Sequence, residues 1–196
     1  YQALAAGMTP RRALAGVEEL RSSGVAVPLV LMGYYNPILS YGPAGYVRDA
    51  RTAGADGLIV PDLPLEESAP LEAACREQGL ALTLLVAPAS GPERLAEIVR
   101  RTTGFVYVVS QLGTTGRALA ASDSLPQRLA QVRAVANTPV AVGFGISQPQ
   151  EIAALAPLAD GVIVGSAVIR QADEGAQALE GYIASLREAT LWPQPQ

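Results

Sequence analysis

Two glycine-containing segments, "GFGIS" at residues 143–147 and "GSA" at residues 165–167, are the first candidates for chemistry. Each ends an apolar run that is typical of a buried strand, although glycine weakens a strand. Glycine allows another group to approach the main chain, and backbone N–H groups at a helix start attract a phosphate. The segments therefore predict a phosphate site, with the alternative that Gly143 and Gly145 only ease a bend in the chain.

The residue types that remain for proton transfer are few, because the chain contains no histidine and no lysine. Serine–histidine triads, imidazole acid–base catalysis and histidine-containing zinc sites are therefore excluded within this sequence. Carboxylates, tyrosines and water remain. The single cysteine, Cys75, lies in a helical pattern without a partner thiol, and we interpret it as a small core residue in a protein of the reducing cytoplasm.

The candidate residues must be positioned by the elements of the fold. The sequence contains six apolar runs, and amphipathic stretches separate these runs from one another. We predict strands over residues 28–35, 57–62, 82–88, 104–110, 139–145 and 161–167. Helices are predicted over 9–22, 44–52, 66–78, 92–101, 125–135, 149–155 and 174–188, with Ser147 as the cap before "QPQE". Because the strand runs lack polar alternation, they predict a parallel sheet that helices cover on both faces.

Repeated βα units of this kind form either a closed barrel or a doubly wound sheet. A weak internal echo, "ADGLIVPD" from Ala55 and "ADGVIVGS" from Ala159, supports the repeat. No G-x-G-x-x-G fingerprint opens the first unit, so the sequence favours the barrel, as a single domain over residues 1–196. A net charge of −4 without basic clusters argues against nucleic acid as a partner, and no apolar run is long enough to span a membrane.

Polar residues gather at the predicted strand ends, which is the face that carries the active site in (β/α)8 barrels. They are Tyr34, Tyr35 and Asn36, then Asp62, then residues 110–116, then residues 143–147, then Gly165 and Ser166. The long connection at residues 111–124 is rich in Gly, Thr and Ser, and it predicts either a flap that closes over a ligand or an ordinary exposed loop.

Four motifs in this order, "VPDLPLEES", "S-x-x-G-x-TG", "GFGIS" and "GSA", closely resemble the alpha subunit of tryptophan synthase over essentially the whole chain. The resemblance implies a TIM barrel that cleaves indole-3-glycerol phosphate to indole and glyceraldehyde 3-phosphate in tryptophan biosynthesis. It also implies an alpha2beta2 complex, in which the chain needs no cofactor of its own because the pyridoxal phosphate belongs to the beta subunit that receives the indole.

The same resemblance assigns roles to residues. The phosphate-binding positions are Gly116, Gly143, Phe144, Gly145, Gly165 and Ser166. The supporting residues are the flap threonine Thr115 and the strand tyrosine Tyr107, the indole pocket is Met32, Tyr34, Ile59 and Ile163, and the beta-subunit contacts are Asn36 and Asp62. Judged by the residues alone, Ile59, Ile163 and Tyr107 also fit an ordinary core, and Asp62 also fits a helix cap.

The chain departs from the family pattern in two places. In the flap, Gln111 stands at a basic position and Thr114 stands in place of valine. In addition, "YQALAAGMTP" resembles the residues just after the family's "ADGP" loop, which carries the catalytic aspartate. We therefore expect about six of the eight units here and both catalytic carboxylates, a glutamate and an aspartate, upstream of Tyr1. The segment alone is then expected to be inactive.

Two other functions remain open from the sequence. A different phosphate-binding barrel enzyme, such as an isomerase or indole-glycerol-phosphate synthase, would share the glycine-rich strand ends but is expected to carry a barrel lysine. A non-catalytic partner that only activates a beta-type subunit is the other alternative.

Overall fold

The computed structural model describes residues 5–110 and 124–190. Within them, every strand pairing is parallel, as the continuous Val, Ile and Leu runs predict. The strands are β1 (Val30–Met32), β2 (Gly57–Ile59), β3 (Ala81–Thr83), β4 (Leu85–Val86), β5 (Val106–Val109), β6 (Val140–Gly143) and β7 (Gly161–Ile163).

Helices follow the strands, which confirms the alternating α/β pattern. They are α1 (Pro10–Ser22), α2 (Tyr35–Tyr41), α3 (Pro43–Ala53), α4 (Ala69–Gln78), α5 (Pro92–Arg101), α6 (Ser124–Arg133), α7 (Pro149–Leu155), α8 (Ser166–Asp173) and α9 (Ala176–Thr190), with a 3₁₀ turn at Leu65–Glu67. Two of these, α2 and α8, were not predicted. Both begin within runs assigned wholly to strands, 28–35 and 161–167, so those strand predictions were too long.

The chain divides into two compact units. The first contains residues 1–84 and 102–104, and its sheet has the order β1-β2-β3. Its core consists of strand and helix residues that are fully or almost fully buried, namely Val47, Ala50, Leu58, Leu71 and Leu82. Helices α3 and α4 pack against each other, and α4 also contacts β3.

The second unit contains residues 85–101 and 105–196, and its sheet has the order β4-β5-β6-β7. The core is dominated by β-branched residues of the strands together with helix residues, namely Val86, Val106, Val108, Leu129, Val132, Val140, Val142 and Ile152. The register pairs Val109 with Gly143 and Gly143 with Ile163. The carboxyl ends of β5, β6 and β7 therefore lie side by side.

The predicted strand over residues 82–88 was wrong as a single element. β3 pairs with β2, whereas β4 pairs with β5, and the buried Leu84 lies between them. One apolar run thus supplies two short strands, because hydrophobicity marks burial but does not show where the pairing partner changes.

The sequence echo at Asp56 and Asp160 corresponds to a repeated hydrogen-bond pattern. The N–H of Leu29 donates to Asp56 Oδ2 at 2.7 Å, while the N–H of Asp56 donates to the Leu29 carbonyl at 2.8 Å. The N–H of Val140 likewise donates to Asp160 Oδ2 at 2.8 Å, and the N–H of Asp160 donates to the Val140 carbonyl at 2.8 Å. Each aspartate therefore fixes the start of the preceding strand.

Among residues 5–110 and 124–190, no helix combines the length and the apolar character that crossing a bilayer requires.

Candidate active site at the strand ends

The turn after β6 has an unusual backbone. Phe144 has a φ of 87° and Gly145 a φ of 77°, so two successive residues adopt the left-handed region. Phe144 is the one non-glycine residue of the described chain with a positive φ, and its side chain is 52% exposed. An aromatic residue is strained in this conformation, and such strain is concentrated at functional sites.

Ser110, which follows β5, holds this turn. It is buried, its N–H donates to the Gly143 carbonyl at 2.9 Å, and its hydroxyl donates a short hydrogen bond to the Phe144 carbonyl. The sequence offered only a weak signal for this role, a serine at the end of an apolar run. Its partner, the Phe144 carbonyl, lies on the neighbouring strand's turn and is set by the register between β5 and β6.

Gly143 has a packing role that the sequence did not reveal. A Cβ at this position would lie 2.6 Å from Tyr107 Oη and 2.9 Å from Ile163 Cβ. Three of the predicted site residues, Tyr107, Gly143 and Ile163, are therefore brought together on one face of the second sheet. The absence of a side chain at Gly143 makes room for the phenol ring.

Gly145 and Gly165 differ from Gly143, because they border open space. Among the described atoms, a Cβ at either position would meet nothing within 4 Å. Gly165 is the N-cap of α8 and offers no side chain to the N–H groups of the first turn, where Ser166 is the first helical residue. In the described part of the chain, both glycines therefore leave room beside the backbone, and the phosphate site stays a prediction.

The helix that follows β6 is capped from within. Gln148, not the predicted Ser147, is the N-cap of α7, and Glu151 completes a capping box. The Glu151 carboxylate accepts from the N–H groups of Ser147 and Gln148, both at 2.8 Å. From α9, the Tyr182 hydroxyl donates to the Ser147 carbonyl at 2.7 Å. The start of α7 is therefore occupied by protein groups, whereas α8 begins at Gly165 without a side-chain cap.

Tyr107 is 4% exposed, and burial raises the pKa of its phenol above the ordinary value. A phenol ionises near pH 10 in water, so a higher pKa leaves even less phenolate at neutral pH to act as a base. Its position over Gly143 suits contact with a ligand better than proton abstraction.

In the first unit, Met32 and Ile59 are direct partners in the parallel ladder, so they lie on one face of the sheet. Ile59 is 7% exposed, whereas Met32 is 57% and Tyr34 68% exposed. The sheet thus brings two of the three predicted pocket residues of this unit together, and Tyr34 stands at the end of the strand as the N-cap of α2.

Asp62 acts as a cap, but not for the helical turn that follows it. Its Oδ1 accepts from the N–H of Tyr35 at 2.8 Å, at the first residue of α2. Asn36, the next residue of α2, is exposed, and so is Asp62. The two predicted beta-subunit contacts therefore meet at the start of one helix.

Four residues of the predicted flap, Gln111, Thr114, Thr115 and Gly116, lie outside the described residues.

A surface cleft of about 250 Å³ lies elsewhere in the first unit, between α1, α2 and α3. The Arg11 guanidinium stacks 4.7 Å from the centre of the Tyr41 ring, and the Tyr41 hydroxyl donates to Asp49 at 2.7 Å. None of the predicted site residues lines this cleft. In the part of the chain that the structure describes, no group of three or more His, Cys, Asp or Glu side chains could hold a metal ion.

A sequence model of the family described as tryptophan synthase alpha chain matches residues 1–191. The chain belongs to the tryptophan synthase alpha chain family. The curated alpha chain of Citrifermentans bemidjiense is 43% identical over 195 residues, which are 97% of this chain and 73% of that protein. The alpha chain of Chloroflexus aurantiacus is 46% identical over 168 residues, which are 86% of this chain and 63% of that protein.

Solved structures agree with the sequence relatives. Tryptophan synthase of Mycobacterium tuberculosis superposes with a TM-score of 0.87 at 41% identity, over 96% of this chain and 71% of that chain. A tryptophan synthase complex from Pyrococcus furiosus gives a TM-score of 0.82 at 34% identity, over 96% and 76%. The chain therefore shares the TIM-barrel fold class of tryptophan synthase alpha chains, and the predicted family is confirmed.

The family supplies the function. An alpha chain of tryptophan synthase is a lyase that cleaves indole-3-glycerol phosphate to indole and glyceraldehyde 3-phosphate in tryptophan biosynthesis, and it partners the beta chain. The match decides against the isomerase and synthase alternatives that the sequence had left open.

Proposed function

We propose that this chain binds the phosphate of indole-3-glycerol phosphate at the ends of β6 and β7. The carrying observation is that, among the described atoms, a Cβ at Gly145 or at Gly165 would meet nothing within 4 Å, and that Gly165 begins α8 without a side-chain cap. The register pairs Gly143 with Ile163, so each glycine lies two residues beyond a paired strand position. Backbone N–H groups at this place, including that of Ser166, would hold the phosphate without a basic side chain.

The indole ring is proposed to bind next to this site, against Tyr107 and Ile163. These side chains converge over Gly143, and Tyr107 is almost fully buried. A flat apolar ligand fits a pocket of aliphatic and aromatic side chains that carries few polar groups. The assignments of Met32, Tyr34 and Ile59 to the indole pocket and of Thr115 and Gly116 to the flap stay predictions from the family resemblance.

For proton transfer, we propose a glutamate and an aspartate outside these 196 residues. Cleavage of the carbon–carbon bond needs a proton at indole C3 and a base for the glycerol hydroxyl, so at least one positioned carboxylate is required. Asp56, Asp62, Glu151 and Asp160 accept hydrogen bonds from backbone N–H groups at strand or helix starts. Their geometry supports structural roles, and the segment alone is proposed to be inactive.

The exposed pair Asn36 and Asp62 is the proposed contact with the beta chain. Because both residues lie at the start of α2, a partner that covers this helix would shield them together. The pyridoxal phosphate of the complex is assigned to the beta chain, and the alpha chain is proposed to need no cofactor. A cytoplasmic location is part of the proposal, since Cys75 is a buried free thiol.

Indole release tests these proposals together. We expect the full-length protein, mixed with its beta chain, to release indole and glyceraldehyde 3-phosphate in equal amounts from indole-3-glycerol phosphate. Purified residues 1–196 should release no indole above the rate without protein. Release by the segment alone would show that the catalytic groups lie within it, and no release by the full-length protein would contradict the proposed function.

The beta-chain contact needs a separate measurement. Hydrogen exchange of the backbone amides around Asn36 and Asp62 should slow when the beta chain is added, because the interface excludes water. The start of α9, at Ala176, provides an internal reference on the second unit. Exchange that is unchanged around both residues would reject this contact while leaving the catalytic proposal intact.

A further inference from the structure

We propose that Ser110 is a positioning residue for the phosphate site, because its hydroxyl sets the orientation of the peptide between Phe144 and Gly145. The inference rests on the proposed function, since it concerns the same phosphate. It adds a side chain to a site that otherwise consists of backbone groups.

The geometry of a peptide bond carries the first step. A trans peptide is planar, and its C=O and N–H groups point in opposite directions. The described chain has no cis peptide bonds. Because the Ser110 hydroxyl holds the Phe144 carbonyl, the N–H of Gly145 must point away from Ser110. Among the described atoms, a Cβ at Gly145 would meet nothing within 4 Å, so the described part of the chain leaves room for a ligand beside this residue.

The strain of the turn supplies the second step. Phe144 has a φ of 87°, a conformation that a phenylalanine leaves readily unless its surroundings hold it. Two hydrogen bonds from Ser110 hold it: the N–H fixes the Gly143 carbonyl, and the hydroxyl fixes the next carbonyl along the chain. Removing only the hydroxyl keeps the first bond and releases the second. The peptide is then free to rotate, and the Gly145 N–H loses its fixed direction.

The same loop provides a matched control. Tyr182 donates one hydrogen bond to the Ser147 carbonyl at 2.7 Å, three residues beyond Phe144. Replacing Tyr182 by Phe removes a hydroxyl and one hydrogen bond to a loop carbonyl, as Ser110→Ala does. It leaves the Phe144–Gly145 peptide untouched. A general loosening of the loop would affect both variants, whereas orientation of this peptide concerns Ser110 alone.

The experiment compares full-length wild type, Ser110→Ala, Ser110→Thr and Tyr182→Phe. Steady-state indole release is measured with indole-3-glycerol phosphate and with the phosphate-free indole-3-glycerol.

We expect Ser110→Ala to raise the KM for the phosphorylated substrate by about tenfold, which corresponds to the loss of one hydrogen bond to a charged group, with a much smaller change in kcat. Its kinetics with the phosphate-free compound should match wild type. Ser110→Thr keeps the hydroxyl, so its KM for the phosphorylated substrate should stay close to that of wild type. Tyr182→Phe should leave the ratio of the KM values for the two substrates unchanged.

A second readout does not depend on turnover. In wild type, titration with inorganic phosphate should shift the amide resonance of Gly145, and in Ser110→Ala this shift should be reduced while that of Ser166 persists. A Ser110→Ala protein that keeps the wild-type preference for the phosphorylated substrate and the wild-type Gly145 shift would overturn the inference. If wild type itself shows neither a preference nor a shift, the proposed phosphate site has failed, and the two failures are thus distinguishable.

Discussion

At the scale of single residues, Phe144 shows a conflict between stability and function. Its backbone is strained and its ring is half exposed, so burial of the ring offsets little of the free-energy cost of the strain. We therefore propose that the side chain contacts a ligand. Its place between Gly143 and Gly145, beside the proposed phosphate site, fits this explanation.

We predict that Phe144→Gly raises the free energy of unfolding by about 1 kcal/mol, because glycine adopts a positive φ without strain. The same change should raise the KM for indole-3-glycerol phosphate. Urea unfolding and steady-state kinetics of one preparation measure both effects. Lower stability together with an unchanged KM would mean that the ring stabilises the fold and does not contact substrate.

Substitutions at Gly143 and Gly165 distinguish a glycine that is needed for packing from one that is proposed to be needed for ligand binding. Gly143→Ala should lower the free energy of unfolding by about 1–3 kcal/mol, because the added methyl overlaps the Tyr107 ring. Gly165→Ala should leave stability within about 0.5 kcal/mol, since no described atom is near, but should weaken phosphate binding. Calorimetric titration with inorganic phosphate measures the phosphate affinity, and urea unfolding measures the free energy of unfolding. Equal effects of both substitutions on stability would refute this distinction.

The sequence singled out these glycines but did not show which group approaches each of them. "GFGIS" indicated close approach of a group to the backbone, and the open space at Gly145 agrees with it. At Gly143 the approaching group is Tyr107 from the neighbouring strand. That contact depends on the register between β5 and β6, which no local pattern contains. The role of Ser110 was hidden for the same reason.

At the scale of elements, two predicted strands end earlier than expected, because their last polar residues belong to helices. The runs over 28–35 and 161–167 read as strands because Val, Ile and Met continue through them. The chain turns into α2 at Tyr35 and into α8 at Ser166, after Tyr34 and Gly165 as the N-cap residues. Hydrophobic content alone could not place these boundaries, since the change of element depends on the backbone at a single residue. The longer amphipathic helices were predicted to within a few residues.

Asp62 caps α2 and is also the proposed beta-chain contact, and a pair of substitutions tests the two roles separately. Asp62→Ala should lower the free energy of unfolding by about 0.5–2 kcal/mol, because the N–H of Tyr35 loses its cap. Asp62→Asn keeps an acceptor oxygen and should retain most of that stability while removing the charge. Affinity for the beta chain, measured by titration calorimetry, should fall in both variants. A loss of affinity only in the less stable alanine variant would assign Asp62 a purely structural role.

At the scale of the whole molecule, the chain passes from the first compact unit to the second between Leu84 and Leu85. A single buried residue, Leu84, separates β3 from β4, and the chain passes between the units again near residues 101–105. Domain boundaries normally fall in exposed and flexible segments. We therefore keep the single-domain prediction for residues 1–196.

A single domain should unfold in one cooperative step. Far-ultraviolet circular dichroism and the fluorescence of a tryptophan introduced at Tyr46, which is buried in the first unit, should then give the same urea midpoint. A second variant with the probe at Tyr182 in the second unit guards against a local effect of the substitution. Midpoints that differ reproducibly between the two probes would show that the units unfold separately.

The central claim is that this alpha chain recognises its substrate through the phosphate at the ends of β6 and β7. The most direct measurement is kcat/KM for indole release by the full-length protein with its beta chain, from indole-3-glycerol phosphate and from phosphate-free indole-3-glycerol. Two hydrogen bonds to a charged group correspond to a loss of at least about 100-fold without the phosphate. We predict such a loss in wild type and a clearly smaller one in Gly165→Ala. Equal kcat/KM values for the two compounds in wild type would contradict the account.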